Sequence, residues 1–196
     1  MLQLLDRERT VAGPRFNRWF VPPAALAVHL SIGQVYAFSV FNEPLETRFG
    51  VSATPIAIIF SISIVMLGLS AAFGGTWMER NGPRKAMALA AVCWSGGFLV
   101  GSLGIAAGQL WLVYLGYGLL GGIGLGIGYI SPVSTLIKWF PDRPGLATGL
   151  AIMGFGGGAL VASPLSDQLM SVFAEEPADA LVPTWIFLGL SYLVLM

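Results

Sequence analysis

The chain has 196 residues, 56% of them hydrophobic and only 10% charged, against about 25% charged in an ordinary soluble domain. Ten basic and ten acidic residues cancel to a formal net charge of zero, so no global field draws nucleic acid or an acidic partner. The lone cysteine, Cys93, excludes an intrachain disulfide or thiolate–metal site, and no His-Glu-x-x-His, Ser–His or Cys–His pattern points to an enzyme, so neither metal nor cofactor is expected.

Charge is confined to short stretches. A hydrocarbon core about 30 Å thick needs roughly 20 apolar residues per helical crossing. Runs without Lys, Arg, Asp or Glu cover 19–42, 49–78, 86–137, 144–166 and 180–196, and the third is long enough to cross twice. The sequence therefore predicts an all-α membrane protein embedded in a lipid bilayer. A short N-terminal segment, 1–18, precedes a six-helix transmembrane bundle over 19–196, with spans at about 20–41, 55–77, 86–106, 110–136, 145–165 and 182–196. The first 18 residues are polar and mixed in sign, which argues against a cleaved signal peptide and leaves span one as its own targeting signal.

In span one, His29, Gly33, Tyr36 and Val40 share one face of an α-helical wheel, and Gln34 lies about 140° away. That face suits a pore wall: Tyr36 can donate a hydrogen bond to a carboxylate oxygen. His29 is the only acid or base inside a span, open to a proton-coupling role or to plain packing. Span two offers only Ser61, Ser63 and Ser70. The segment after it, GTWMERNGPRK at 75–85, reads as a tight turn in which Gly82 takes a positive φ and Pro83 fixes the exit. Glu79 is free there to pair with Arg80, Arg84 or a basic residue of the next loop on the same side. Cys93 in span three reads as a small apolar packing residue.

Span four carries two small-residue stripes, Gly118/Gly122/Gly126 and Gly124/Gly128, which suggests a helix wedged between neighbours, with Pro132 bending one end. It also supplies Tyr117 and Tyr129. Trp111 and Trp139 are 28 residues apart, about 42 Å along a helix, and should sit in the two interfacial belts. The loop KWFPDRPGL follows, with Asp142 placed to favour the N-terminus of span five. Span five is again glycine-rich, including Gly154 and Gly158, which supports either static packing or helices that slide. The last apolar run, 182–196, is short at about 22 Å, so the chain is expected to stop inside its sixth helix.

Assigning sides alternately puts nine of the ten basic residues on one face, including Arg7, Arg9, Arg15 and Arg18, and leaves Arg48 on the other with Glu43, Glu46, Asp167, Glu175, Glu176 and Asp179. By the positive-inside rule the N-terminus is cytoplasmic, in a plasma (inner) membrane.

The segment 75–85 resembles the signature loop of the major facilitator superfamily, G-x-x-x-[DE]-[RK]-x-G-x-[RK]-[RK]. NRWF at 17–20, the GPR form of the loop at 82–84 and KWFPDRPGLATG at 138–149 are similar to its oxalate/formate-antiporter-type branch. The resemblance covers the chain from Asn17 and implies the first six-helix half of a twelve-helix fold, lacking its C-terminal half. It implies alternating-access transport of small organic anions such as oxalate, formate or pyruvate, by antiport or proton symport. A conformational latch would comprise Gly75, Glu79, Arg80, Gly82 and Arg84, and a substrate path Tyr36, His29, Gln34 and Tyr129, with Tyr36 foremost. Two departures bear on the latch geometry: Glu79 stands where Asp is commoner, and Pro83 where many members carry a base. No lysine or arginine stands at mid-membrane to pair an anion, and the resemblance assigns that cation to the missing half. A glycine-packed channel or scaffold is the competing reading.

Overall fold

Backbone groups in lipid must satisfy their hydrogen bonds within the segment, which leaves helices as the way to use these apolar runs. The computed structural model, which describes residues 5–6, 12–13 and 15–196, contains six helices long and apolar enough to cross a membrane. They are α1 (Arg18–Phe49), α2 (Ala53–Asn81), α3 (Pro83–Ala106), α4 (Leu110–Trp139), α5 (Pro144–Phe173) and α6 (Pro177–Leu195). Arg7 and Arg9 lie outside the described residues. Each helix runs past its apolar stretch where polar residues can still hold helical geometry at the interface. Thus α5 continues through Ser166, Asp167 and Gln168. α6 starts at Pro177 rather than 182, so it has 19 residues, about 28 Å.

Two helices are not uniform. α1 is α-helical over Val21–Ile32, a 3-10 helix over Gly33–Phe41 and α-helical again over Asn42–Phe49. α4 contains a π-helical stretch at Tyr114–Gly121. Gly33, where the 3-10 stretch of α1 begins, lies backbone against backbone on α5, where a Cβ would meet Phe155 O and come 2.7 Å from Gly158 Cα. This corrects the expected wheel face, because three residues per turn replace 3.6 beyond Gly33. Val40 falls off the face of Tyr36 and packs, half-buried, against the core.

α4 is the wedge. Gly118, Gly122 and Gly126 lie on α2; a Cβ on Gly122 would fall 2.6 Å from Met66 Cβ, and one on Gly126 would meet Ser70 Oγ. Its other side meets α3, where a Cβ on Gly124 would come within 2.5 Å of Trp94 N. Between α3, α4 and α6 the fully buried rings of Trp94, Phe98, Tyr117 and Trp185 form the core, with Phe98 and Tyr117 5.2 Å apart. At the acid-rich end the exceptional Arg48 donates to Ile105 O at 3.2 Å and Ala106 O at 3.4 Å. It thereby satisfies the last carbonyls of α3 with a charge of the sign the helix C-terminus favours.

Candidate functional site

Three of the four residues expected to line a path are joined by a ring not anticipated. His29 on α1 stands 5.6 Å from the Tyr129 ring on α4, Tyr129 5.1 Å from Phe155 on α5, and Phe155 5.0 Å from Tyr36 back on α1. Phe155 escaped the sequence reading because a phenylalanine in an apolar run carries no chemical signal. Of the five tyrosines in the chain Tyr36 alone is exposed, at 45%. His29 is fully buried: its Nε2 is 3.3 Å from Tyr129 O, and Gly154 lies so close that a Cβ there would be 2.8 Å from His29 Cβ. It packs behind the open face rather than on it.

Gln34 is corrected likewise. It is fully buried, its Nε2 3.5 Å from Ser166 Oγ on α5 while Tyr192 OH on α6 donates to its Oε1 at 3.2 Å. Its amide ties three helices together, buried away from the exposed face of Tyr36.

At the basic end one residue, Gly82, separates α2 from α3. Its φ of 92° and ψ of 158° lie in a region essentially reserved for glycine. Its N–H donates to Met78 O at 2.7 Å and its carbonyl accepts from Ala86 N at 3.3 Å, so it closes one helix and opens the next. Glu79 pairs with Lys138 at the end of α4, 3.5 Å away, and both are mostly exposed. Glu79, Gly82, Pro83, Lys138 and Trp139 border a cavity of about 190 Å³. Gly75 leaves room toward α4, where an added Cβ would stand 4.0 Å from Ile130 Cγ1. Arg80 is exposed, and Arg84 borders a second, apolar cavity with Met87 and Pro132. Lys85 pairs with Asp6 at 3.2 Å.

Asp142 does not cap α5. The residue before that helix is Arg143, and no side chain caps it. The Asp142 carboxylate instead accepts two bonds from Arg18, at 2.7 and 2.9 Å. That hydrogen-bonded guanidinium holds the carboxyl below the usual carboxylate range. Arg18 also stacks over Phe140 at 4.8 Å, and Trp19 packs 5.2 Å from Phe140. The two motifs NRWF and KWFPDRPG, 120 residues apart in the chain, are therefore one clasp at the basic end.

Six apolar helices, a glycine-turned basic loop between the second and third, and a sequence profile matching residues 24–196 decide the family. This chain belongs to the Major Facilitator Superfamily. The fold is the N-terminal half of that family's. The chain is 28% identical over 160 residues to an uncharacterized MFS-type transporter, YhjX, of Escherichia coli, covering 82% of this chain and 39% of the relative. It is 29% identical to the oxalate:formate antiporter of Oxalobacter formigenes, covering 89% of this chain and 40% of that one. With human monocarboxylate transporter 11 it shares 30% identity, over 82% of this chain and 34% of the relative. The chain thus spans about two fifths of the length of the curated relatives it matches.

Proposed function

We propose that this facilitator chain forms the first half of a secondary active carrier of small organic anions, mono- or dicarboxylates, that works by alternating access as an antiporter or proton-linked symporter. The observation that carries the reading is Tyr36: a phenol standing open in the middle of a span, braced edge-on by Phe155. A hydroxyl exposed at that depth is costly in lipid and useful beside a watery path. It can donate to a carboxylate oxygen, and two of the relatives are named for carboxylate transport.

The basic end is cytoplasmic in this reading, because all the basic residues among those described except Arg48 sit there. Glu79, Arg80 and Arg84, turned by Gly82 and set beside Lys138, act as the latch that opens and reforms in each cycle. The cation that pairs with the anion comes from residues beyond the six helices, so residues 1–196 alone do not transport. Counterflow tests the whole. Proteoliposomes carrying the product of the whole gene and preloaded with unlabelled oxalate, formate or pyruvate should take up labelled anion faster than empty ones. Equal rates for all three anions, or a current that rises with voltage without saturating, would refute a carrier.

A further inference from the structure

A groove of about 580 Å³ opens on the surface of the bundle between α2, α3 and α4. Leu69, Phe73 and Trp77 wall it on the α2 side and Leu89 on the α3 side, with Ile123 and Ile127 of α4 as its floor. Gly74 uncovers that floor: even a Cβ there would stand 3.3 Å from Ile127 Cγ1. Phe73, 78% exposed, and the open sides of Leu69, Trp77 and Leu89 present hydrocarbon to whatever fills the groove. The lining offers an anion nothing. Apart from the Trp77 indole its one polar side chain is Ser70, whose hydroxyl donates to Met66 O at 2.6 Å. The groove is therefore no part of a carboxylate path.

Its length is that of one lipid leaflet. From Met66 at the inner end to Trp77 is 11 residues, about 16 Å, against about 15 Å for half of the hydrocarbon core. Trp77 ends it with an indole, the side chain that settles at the headgroup boundary. Beyond Trp77 the charge begins. On the regular helix α2, Met66, Leu69, Phe73, Trp77 and Arg80 fall within an arc of about 80°. Arg80 thus stands one turn beyond Trp77 on the groove's own wall. It is exposed and makes no ion pair among the described residues. Glu79 lies about 100° round the helix from it and pairs with Lys138 instead. On α3 Lys85 precedes Leu89 by one turn, so a second cation, paired with Asp6 at 3.2 Å, tops the opposite wall.

We propose that this groove binds an anionic phospholipid from the leaflet at the basic end, one acyl chain lying along Phe73 and Leu89 and the headgroup phosphate held by Arg80, with Lys85 beside it. The occupant follows from the two parts of the site. An apolar trough one leaflet deep fits a fatty acyl tail. A guanidinium at its mouth fits a phosphate, whose oxygens it can meet two at a time. Basic side chains just outside the hydrocarbon are where anionic headgroups collect. A partner helix would need neither the single-leaflet length nor a cation at the end of it. Bound lipid would bridge α2 and α3, which Gly82 alone joins in the chain. The site is independent of what the chain transports.

Arg80 also belongs to the latch proposed above, so lipid binding rather than transport is the measurement. The product of the whole gene is purified in a nonionic detergent and stripped of lipid. It is then given phosphatidylglycerol or phosphatidylcholine with the same acyl chains, and bound lipid is counted by native mass spectrometry. Phosphatidylglycerol should bind at least fivefold more tightly. Arg80→Gln should bring it down to the phosphatidylcholine level, whereas Arg15→Gln, which removes an exposed cation elsewhere at that end, should leave it unchanged. Phosphatidylglycerol carrying a diazirine in its acyl chain should cross-link to Phe73 and Leu89, and excess unlabelled phosphatidylglycerol should suppress the cross-link. Equal binding of the two lipids, a preference that survives Arg80→Gln, or an equal loss in Arg80→Gln and Arg15→Gln overturns the headgroup site. Cross-links confined to other helices, as when the rest of the carrier or a second copy covers the groove, overturn the groove as the lipid's seat.

Discussion

Gly158→Ala should destabilise this bundle, while Gly157→Ala, one residue away, should not. A Cβ on Gly158 would stand 2.5 Å from Gly33 Cα, 2.7 Å from Gly33 C and 2.9 Å from Leu30 O, all backbone atoms that cannot rotate away. Ordinary contact begins near 3.4 Å, so α1 and α5 must part by about 0.9 Å. A radial gap of roughly 0.5–1 Å forfeits a quarter to a half of each dispersion contact across it, and in lipid such contacts are the main force holding helices together. Overpacking of this kind costs about 1–3 kcal/mol. At Gly156 and Gly157 nothing lies within 4 Å, and alanine there gains helix propensity, up to about 1 kcal/mol by the aqueous scale. Gly33→Ala should cost as much as Gly158→Ala. The double variant should cost less than the two together, because one parting of the helices serves both. Reversible unfolding in mixed micelles by increasing SDS, followed by tryptophan fluorescence, measures all four. Gly158→Ala unfolding at the same SDS fraction as Gly157→Ala, or two single effects that add fully, would refute the close approach.

Gly82→Ala should cost about 1–3 kcal/mol, because its φ of 92° is open essentially to glycine alone. The same SDS titration measures it, and Asn81→Ala, which loses only an exposed bond to Trp77 O, should change much less. Gln34→Leu leaves Tyr192 OH and Ser166 Oγ without their partner. It should cost about 0.6–1.7 kcal/mol, the range for interhelical bonds in membranes, and leave the KM for anion unchanged. Asp142→Asn removes the charge that Arg18 grips. Because Arg18 holds the carboxyl low, the pair contributes in full above the unfolded carboxylate pKa of about 3.9 and fades as pH falls through its lower folded value. Thermal melting from pH 7 downward should therefore show wild type and Asp142→Asn converging in acid. A difference that grows in acid would contradict the pair.

The six spans were legible because the bilayer imposes a length and an absence of charge, and both are written directly in composition. The Gly118, Gly122 and Gly126 stripe was legible for a similar reason: only glycine at that spacing lets α2 come so near. Helix ends were less so, since Ser166 to Gln168 and Pro177 to Asp179 are helical without being apolar. The wheel of span one misled because a wheel assumes 3.6 residues per turn, and the helix tightens to a 3-10 stretch beyond Gly33. Gln34 and His29 were chosen as polar groups in an apolar span. Their partners, Ser166, Tyr192 and Tyr129, are what turn them inward. Asp142 has the spacing of a cap, and only the fold shows Arg18 within reach.

The glycines of spans four and five allowed either static packing or sliding, and their contacts choose between the two. A helix slides easily over side chains, which can change rotamer as it passes. Here backbone meets backbone: Gly33 on Gly158, Gly97 on Gly121, Gly116 on Gly101. At such a contact a rotation or a shift of one residue along either helix brings a neighbouring Cβ into a position that only glycine can occupy. Between α1 and α5 the clasp of Arg18 and Asp142 pins the basic end as well, and between α2 and α4 the pair Glu79 and Lys138 joins the same end. These backbone contacts hold the helices they join as packed pairs rather than sliding surfaces. The surfaces that lack such contacts are the largely open faces of α2 and α5 around Phe73 and Leu160.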